Sequence, residues 1–314
     1  MKKIIALVSA MLLLVGCAST PVEKTPEPTA TTEPVQLTVL APKGATALPL
    51  IPVLLDGMAD VTFVDGTDVI QAAFVNPTPE YNVIVAPTNL GTKLGSAGKT
   101  KYKMLGIITW GNLYLVGENE DVLNQEGELA AFGEGAVPGL IFNETIVDIV
   151  PQVTFYNSVT DAQAALLSDK ANIALLAEPA ATATIAKLKE QGKEYKIIKD
   201  LQKEFEVKTG TLGYPQAAIY VLEDEYNANK EVYDQLITKI NDYVMSINAD
   251  TMNQLKTDIE TITPEVLGVP SSEIVSKTWD RMNIRYASAS ESVEQLKTFL
   301  GLFGIENFEE SIIK

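Results

Sequence analysis

From Leu37 onward the chain alternates short apolar runs with helix-like stretches, and this order constrains the fold more than any other feature. Leu37–Ala41 reads as a strand, and Pro42-Lys43-Gly44 turns the chain into a helical stretch from Ala45 to Met58. Val61–Val64 is the next strand, closed by Asp65-Gly66. Asp68 suits the N-cap of a short helix through Phe74, and Tyr81–Ala86 is a third strand ended by Pro87. A β-α-β-α-β order calls for a parallel sheet, because each strand re-enters the sheet through a crossover. It also places binding loops at the strand C-termini.

Two further extended stretches, Tyr102–Trp110 and Leu113–Gly117, are broken at Gly111-Asn112. After a polar stretch over 118–128 a second α/β series begins. Its strands are Leu129–Phe132, Gln152–Tyr156, Ile173–Ala177 and Tyr195–Ile198, and its helices are Val137–Ile149, Thr160–Ser168 and Ala180–Gln191. Leu212–Leu222 reads as extended, and from Glu223 the chain reads as mostly helical. The expectation is an α/β fold of two lobes joined by a two-segment hinge around a cleft. Residues 36–117 plus 209–314 would form lobe one and 118–208 lobe two. Two crossings permit closure and resist twisting, and a solute would bind where strand ends and helix N-termini of both lobes meet.

The residues before this body carry a different signal. Lys2 and Lys3 precede an apolar run from Ile4 to Val15, shorter than the ~20 residues of a membrane span and typical of a signal-peptide core. The run ends at Leu14-Val15-Gly16-Cys17, which resembles a bacterial lipobox, so 1–16 reads as a signal peptide and Cys17 as the lipidated residue. Residues 17–35, with Pro21, Pro26, Pro28 and Pro34 among Thr and Glu, read as a tether too poor in apolar side chains for a core. The chain has 314 residues, of which 46% are hydrophobic and 21% charged, a globular balance. Its net charge is −17, and signal and tether carry three lysines and three glutamates, so the acidity belongs wholly to the body.

Composition also excludes functions. With no histidine, Ser-His-Asp and Cys-His catalysis and His-ligated zinc are ruled out. A single cysteine allows no disulfide within the chain. An acidic body does not suit nucleic acid, whose binders need a basic face. No metal or phosphate motif stands out: Asp65-Gly66-Thr67-Asp68 lacks the spacing of an EF-hand loop.

The order of the turns resembles type II periplasmic-binding-protein folds, specifically the substrate-binding lipoproteins of the nitrate/sulfonate/taurine/thiamine-precursor group of ABC importers. The residues that carry the resemblance are Val39-Leu40-Ala41-Pro42-Lys43-Gly44 and Val83-Ile84-Val85-Ala86-Pro87-Thr88-Asn89. With them go Gly133-Glu134-Gly135, Ala174-Leu175-Leu176-Ala177-Glu178-Pro179-Ala180 and the late Trp279-Asp280-Arg281-Met282-Asn283-Ile284. The resemblance implies a solute receptor that delivers its ligand to an ABC permease. It implies no catalytic residues and no cofactor, an extracytoplasmic, lipid-anchored monomer, and the membrane touched only through the N-terminal lipid.

Candidate ligand-binding residues follow from position, and each has a plainer alternative. Gly135 and Ala136 lie where a helix N-terminus offers backbone N–H groups, or form an ordinary βα turn. Thr88 and Asn89 end the third strand and suit hydrogen bonding, or simply turn the chain. Trp110, beside Asn112, can stack on a planar ligand or pack the hinge. Tyr156 and Asn157 end a lobe-two strand, and Tyr214 follows the return hinge. Glu178 can accept a hydrogen bond from an amine or amide, bridge the lobes on closure, or cap the helix after it. Lys43 is a solvated loop charge or the one cation for an acidic solute. The only arginines, Arg281 and Arg285, are expected on a late helix. This set favours a planar or amide-bearing solute such as a thiamine precursor over a sulfonate or nitrate. A sensor or adhesion lipoprotein, or an enzyme on the same fold, are the alternatives from other classes.

Overall fold

The computed structural model describes residues 36–211, 213–305 and 312–314. The signal peptide, Cys17, the tether up to Val35 and Leu212 lie outside the described residues.

The body forms two α/β lobes, each built on its own sheet. In lobe one the strands are β1 (Leu37–Pro42), β2 (Ala59–Val64), β3 (Val83–Pro87) and β4 (Tyr102–Thr109). The chain then enters lobe two with β5 (Leu113–Gly117), β6 (Glu128–Phe132), β7 (Gln152–Tyr156), β8 (Ile173–Ala177) and β9 (Lys196–Asp200), and returns with β10 (Ala217–Leu222) and β11 (Ile284–Ser288). The lobe-one sheet runs β11-β4-β10-β3-β1-β2 and the lobe-two sheet β7-β6-β8-β5-β9. In each, a parallel set comes from the alternating series, β1 with β2 and β3, β6 with β7 and β8. Strands arriving from elsewhere pair antiparallel, β10 with β3 and β4, and β5 with β8 and β9.

Inner strands are mostly apolar because helices cover both faces of the sheet. Val83–Ala86 of β3 and all of β5 are buried. The edge strands β2 and β7 alternate buried or half-buried with exposed positions, as in Gln152-Val153-Thr154-Phe155-Tyr156.

The crossover helices are α1 (Ile51–Leu55), α2 (Asp68–Val75), α3 (Thr88–Ser96), α4 (Val137–Thr145), α5 (Val159–Leu167), α6 (Ala180–Glu190) and α7 (Leu201–Thr209). Side chains fix several of their starts. Ser158 accepts from the Asp161 N–H at the start of α5, and Asp200 accepts from the N–H groups of Gln202 and Lys203 at the start of α7. α8 (Glu223–Ala228), α9 (Lys230–Ser246), α10 (Met252–Ile262), α11 (Pro264–Leu267), α12 (Ser272–Thr278) and α13 (Val293–Gly301) complete the chain.

Four features differ from the sequence reading. The chain crosses to the second sheet at 110–112, before the expected Gly117, because the apolar run of β5 pairs with β8 and β9. Thr88 and Asn89 open α3 instead of lying in a free loop. The region 201–209 is helical. The late region contains a strand, and Arg285 lies in β11 while Arg281 lies in the 3-10 turn Trp279–Met282.

The two crossings, 110–112 and 210–216, are locked together. Gly111 has φ +92, and a Cβ there would come within 2.9 Å of the Gln202 and Tyr214 side chains. Only glycine combines that backbone with that approach. Tyr214 N–H donates to the Trp110 carbonyl at 3.3 Å, and its hydroxyl donates to Gln202 Oε1 at 2.8 Å. Gln202 in turn bonds both the N–H and the carbonyl of Leu113.

Candidate functional site

A chain of hydrogen bonds runs from the end of β3 to the end of β8, and it passes through several residues named above. The Thr88 N–H donates to the Gln216 carbonyl at 3.1 Å, and the Gln216 N–H donates to the Thr109 carbonyl at 3.0 Å. The Gln216 side chain continues it, Nε2 donating to Asn112 Oδ1 at 3.0 Å. Asn112 Nδ2 donates to the Glu178 carbonyl at 3.0 Å, and the Glu178 N–H returns a bond to the Asn112 carbonyl at 2.9 Å. Thr88, Gln216 and Thr109 are set side by side by the pairing of β10 between β3 and β4.

At this spot buried polar atoms lack protein partners. Thr88 Oγ1, Asn89 Oδ1, Thr109 Oγ1 and Gln216 Oε1 are all buried without a hydrogen bond. Ser96 Oγ extends the set along α3. Buried polar atoms are nearly always bonded, so this group of oxygens at one sheet end has hydrogen-bonding capacity left for a water or a ligand.

Glu178 ends β8 with its side chain fully buried. Its Oε1 accepts from Arg281 Nε at 2.8 Å and from the Thr182 hydroxyl at 2.8 Å, and its Oε2 accepts from the Thr182 N–H at 3.0 Å. Arg281 Nη2 also donates to Thr182 Oγ1 at 2.8 Å. The carboxylate therefore caps the first turn of α6 and forms an ion pair with a segment that leads into the lobe-one sheet. That segment closes over the crossing. Asn283 Nδ2 donates to the Gly111 carbonyl at 2.8 Å, the Trp110 N–H to the Asn283 carbonyl at 3.0 Å, and the Tyr114 hydroxyl to the Arg281 carbonyl at 2.8 Å. Burial pushes the Tyr114 phenol well above its usual range, with the nearby Asp200 and Glu178 charges acting in the same direction.

Other sequence candidates sit elsewhere. Trp110 is 2% exposed, its Nε1 donates to the Arg285 carbonyl at 3.2 Å, and the Arg285 guanidinium covers its ring at 4.2 Å. Little of the ring is therefore exposed. Tyr214 is fully buried, stacked on Phe299 and edge-on to Phe205, so it packs the core instead of lining a binding surface. Lys43 pairs with Asp65 at 2.9 Å on a half-open surface. Gly135 and Ala136 are exposed at the start of α4, which has no side-chain cap. Tyr156 and Asn157 line a surface groove of about 440 Å³ along β7 and α5, with Asp161, Ser168 and Lys170. A second cavity of about 310 Å³ lies where Trp110 meets Thr211, Arg285 and Glu294.

The structure thus joins Thr88, Asn112 and Glu178 and separates them from Lys43 and the Tyr156 groove. Gln216, Thr109 and Arg281 are the residues that sequence reasoning missed. Among the described residues no group of His, Cys, Asp and Glu is placed to hold a metal ion, and no helix is long and apolar enough to cross a membrane.

An ABC transporter protein from Parabacteroides distasonis superposes on 88% of this chain and 94% of its own, with a TM-score of 0.67 and 22% identity. The chain has the fold of ABC-importer solute-binding proteins. The periplasmic aliphatic sulphonate binding protein of Escherichia coli shares this binding-protein fold over 87% of this chain and 92% of its own, with a TM-score of 0.60 and 15% identity. The alkanesulfonate-binding protein of Xanthomonas axonopodis, solved with MOPS bound, does so over 90% and 96%, with a TM-score of 0.58 and 14% identity. No protein-family model matches the sequence, and no curated protein matches it.

Proposed function

We propose that the chain is an extracytoplasmic solute-binding lipoprotein, anchored through Cys17, that captures a small molecule between its lobes and delivers it to an ABC permease without chemistry on the solute. The observation that carries this reading is the group of buried, unpartnered oxygens of Thr88, Asn89, Thr109 and Gln216 at the lobe-one sheet end. The fold supports it, as does the Glu178–Arg281 ion pair, which ties a lobe-two strand end to the segment leading into β11. Contacts made to both lobes let a permease tell loaded protein from empty protein, since a ligand shifts the open–closed balance only by binding the two states differently.

The polar set favours a neutral, planar or amide-bearing solute, of which a thiamine precursor is one example. Both arginines are engaged, Arg281 with Glu178 and Arg285 over Trp110, and Lys43 is paired with Asp65. One observation favours a second reading, a small anion such as a sulfonate or nitrate. Arg285 is half-buried, has no carboxylate partner among the described residues, and borders the cavity of about 310 Å³. Burial holds its pKa below the ordinary arginine value, the state an anion would relieve.

Native mass spectrometry of the purified body for a carried-over solute, followed by a thermal-shift panel, tests the reading. A true ligand at ~100 times its dissociation constant stabilises by about 2.7 kcal/mol. That raises the midpoint of a body this size by roughly 5–10 °C, at ~2–4 °C per kcal/mol. A flat response to aminopyrimidines, amides, sulfonates and oxyanions alike, with no carried-over solute, overturns it.

A further inference from the structure

The relay through Asn112 settles which way its amides point. A backbone carbonyl only accepts, so the Asn112 group facing the Glu178 carbonyl is its NH2. Its Oδ1 then faces Gln216, and the Gln216 group that meets it is again the NH2. The Gln216 Oε1 is left over, buried and without a partner. This orientation does not depend on choosing between alternative amide flips, because reversing either amide sets two donors or two acceptors against each other. Thr88, whose N–H is bonded to the Gln216 carbonyl, brings a hydroxyl that is also unpartnered and can donate or accept.

We propose that Gln216 is the specificity-determining residue of the solute site, and that Asn112, which continues the β5–β8 pairing to Glu178, is the positioning residue that fixes which way its amide points. The inference rests on the solute-receptor reading above and narrows it to a substrate class. The solute carries an N–H donor next to a lone pair, as in a primary amide, an amidine or an aminopyrimidine. The N–H meets Gln216 Oε1 and the lone pair meets a threonine hydroxyl. An acceptor-only headgroup such as a sulfonate would set its oxygens against a fixed acceptor that cannot turn round. Sites built to bond a particular polar group reject analogues lacking it strongly, because the buried partner is left bare.

The test uses two probes on the full chain freed of carried-over solute, 4-amino-5-hydroxymethyl-2-methylpyrimidine and ethanesulfonate, by isothermal titration. The pyrimidine is expected to bind, ethanesulfonate to bind at least ~100-fold more weakly, and Gln216→Met to weaken the pyrimidine by ~100-fold or more. The thermal midpoint of unloaded Gln216→Met reports whether it is folded. Gln216→Glu supplies a readout that a merely structural role would not move. Its protonated carboxyl mimics the amide, with O–H to Asn112 Oδ1 and the carbonyl free. Its ionised form cannot donate, so two acceptors face each other. Its affinity relative to wild type at the same pH is therefore expected to rise from pH 7 to pH 5. Equal binding by folded Gln216→Met, or a flat pH ratio for Gln216→Glu, overturns the proposal. Tighter binding of ethanesulfonate overturns it while leaving the receptor reading standing. Binding of neither probe sinks the assigned class, and the receptor reading then falls or stands on the mass-spectrometric search.

Discussion

Two turns of this molecule look alike in sequence and have become different things. The β3–α3 turn, Pro87-Thr88-Asn89, and the β6–α4 turn, Gly133-Glu134-Gly135-Ala136, both end a parallel strand with small or polar residues and open a helix without a side-chain cap. Thr88 is fully buried with its hydroxyl unpartnered, whereas Glu134, Gly135 and Ala136 are exposed. The difference comes from what lies beside each turn. The antiparallel strand β10 runs past the first and places Gln216 against Thr88. The second turn follows a strand whose neighbours, β7 and β8, are both parallel, with the Gly133 N–H on the Tyr156 carbonyl at 3.3 Å. A strand arriving from far along the chain, more than the local motif, turns a βα turn into a buried polar cluster.

The largest predicted effect concerns the link between the two sides. Arg281→Met leaves the Glu178 carboxylate buried with only Thr182 for company. Stripping one partner from a buried pair costs ~3–5 kcal/mol, and the partial exposure of Arg281 reduces this to about 2–3 kcal/mol of unfolding free energy in urea at pH 7. Glu178→Gln is expected to cost less, since the arginine can turn to water. If the order is reversed, the carboxylate is not the buried charge that this geometry makes it.

Next come the glycines one turn into each helix. A Cβ on Gly139 would lie 2.4 Å from the Gly133 carbonyl oxygen, and one on Gly91 would lie 2.2 Å from the ring of Tyr220, whose hydroxyl bonds the Thr88 carbonyl. Gly139→Ala must move backbone, while Gly91→Ala must move a fully buried tyrosine. Each is expected to cost about 1–3 kcal/mol, and Gly91→Ala alone should disturb binding. Gly135→Ala, with open space around its Cβ, should change stability by less than ~0.5 kcal/mol in the same urea titrations.

Thr88→Val sharpens the contrast further. It removes an unpartnered hydroxyl at nearly constant volume, so unloaded stability should change by less than about 1 kcal/mol while the ligand-induced thermal shift falls. A drop in unloaded stability with an intact shift would make Thr88 a core residue only.

The smallest effect, read just above the onset near pH 9.5, is alkaline. Burial raises the phenols of Tyr102 and Tyr286 to about 12. In the unfolded chain they ionise near their usual value of about 10. Their contribution is thus fully present below about pH 10 and is lost as pH rises toward 12, because the unfolded chain sheds protons first. The urea midpoint should be level up to about pH 9.5 and fall above it.

The alternating series made the two lobes readable, because its apolar runs are local and continuous. Most strands fall within a few residues of the pattern, Gln152–Tyr156 and Ile173–Ala177 among them. The crossing point is not legible in the sequence, because β5 is as apolar as the lobe-one strands and only its partners reveal its sheet. Glu178 was legible as a strand-terminal carboxylate with ligand binding, bridging and capping among its roles, and in the structure its carboxylate bonds the first turn of α6 and Arg281. Its partner was not, since Arg281 lies 103 residues away and nothing local marks it. Gln216 escaped for the same reason. A lone glutamine at a strand start carries no signal until β10 brings it between Thr88 and Asn112. Trp110 and Tyr214 were legible only as hinge-side aromatics, because such a residue has the same sequence whether it faces solute or, as here, is buried beside the crossing.

The central claim is that a solute sits against the lobe-one oxygens, and a crystal structure of the chain with its co-purified or titrated solute tests it most directly. Density for the solute is predicted within hydrogen-bond distance of Gln216 Oε1 and of the hydroxyl of Thr88 or Thr109. A solute bound in the groove beside Tyr156 or in the Trp110–Arg285 cavity, with these oxygens still unpartnered, would contradict it.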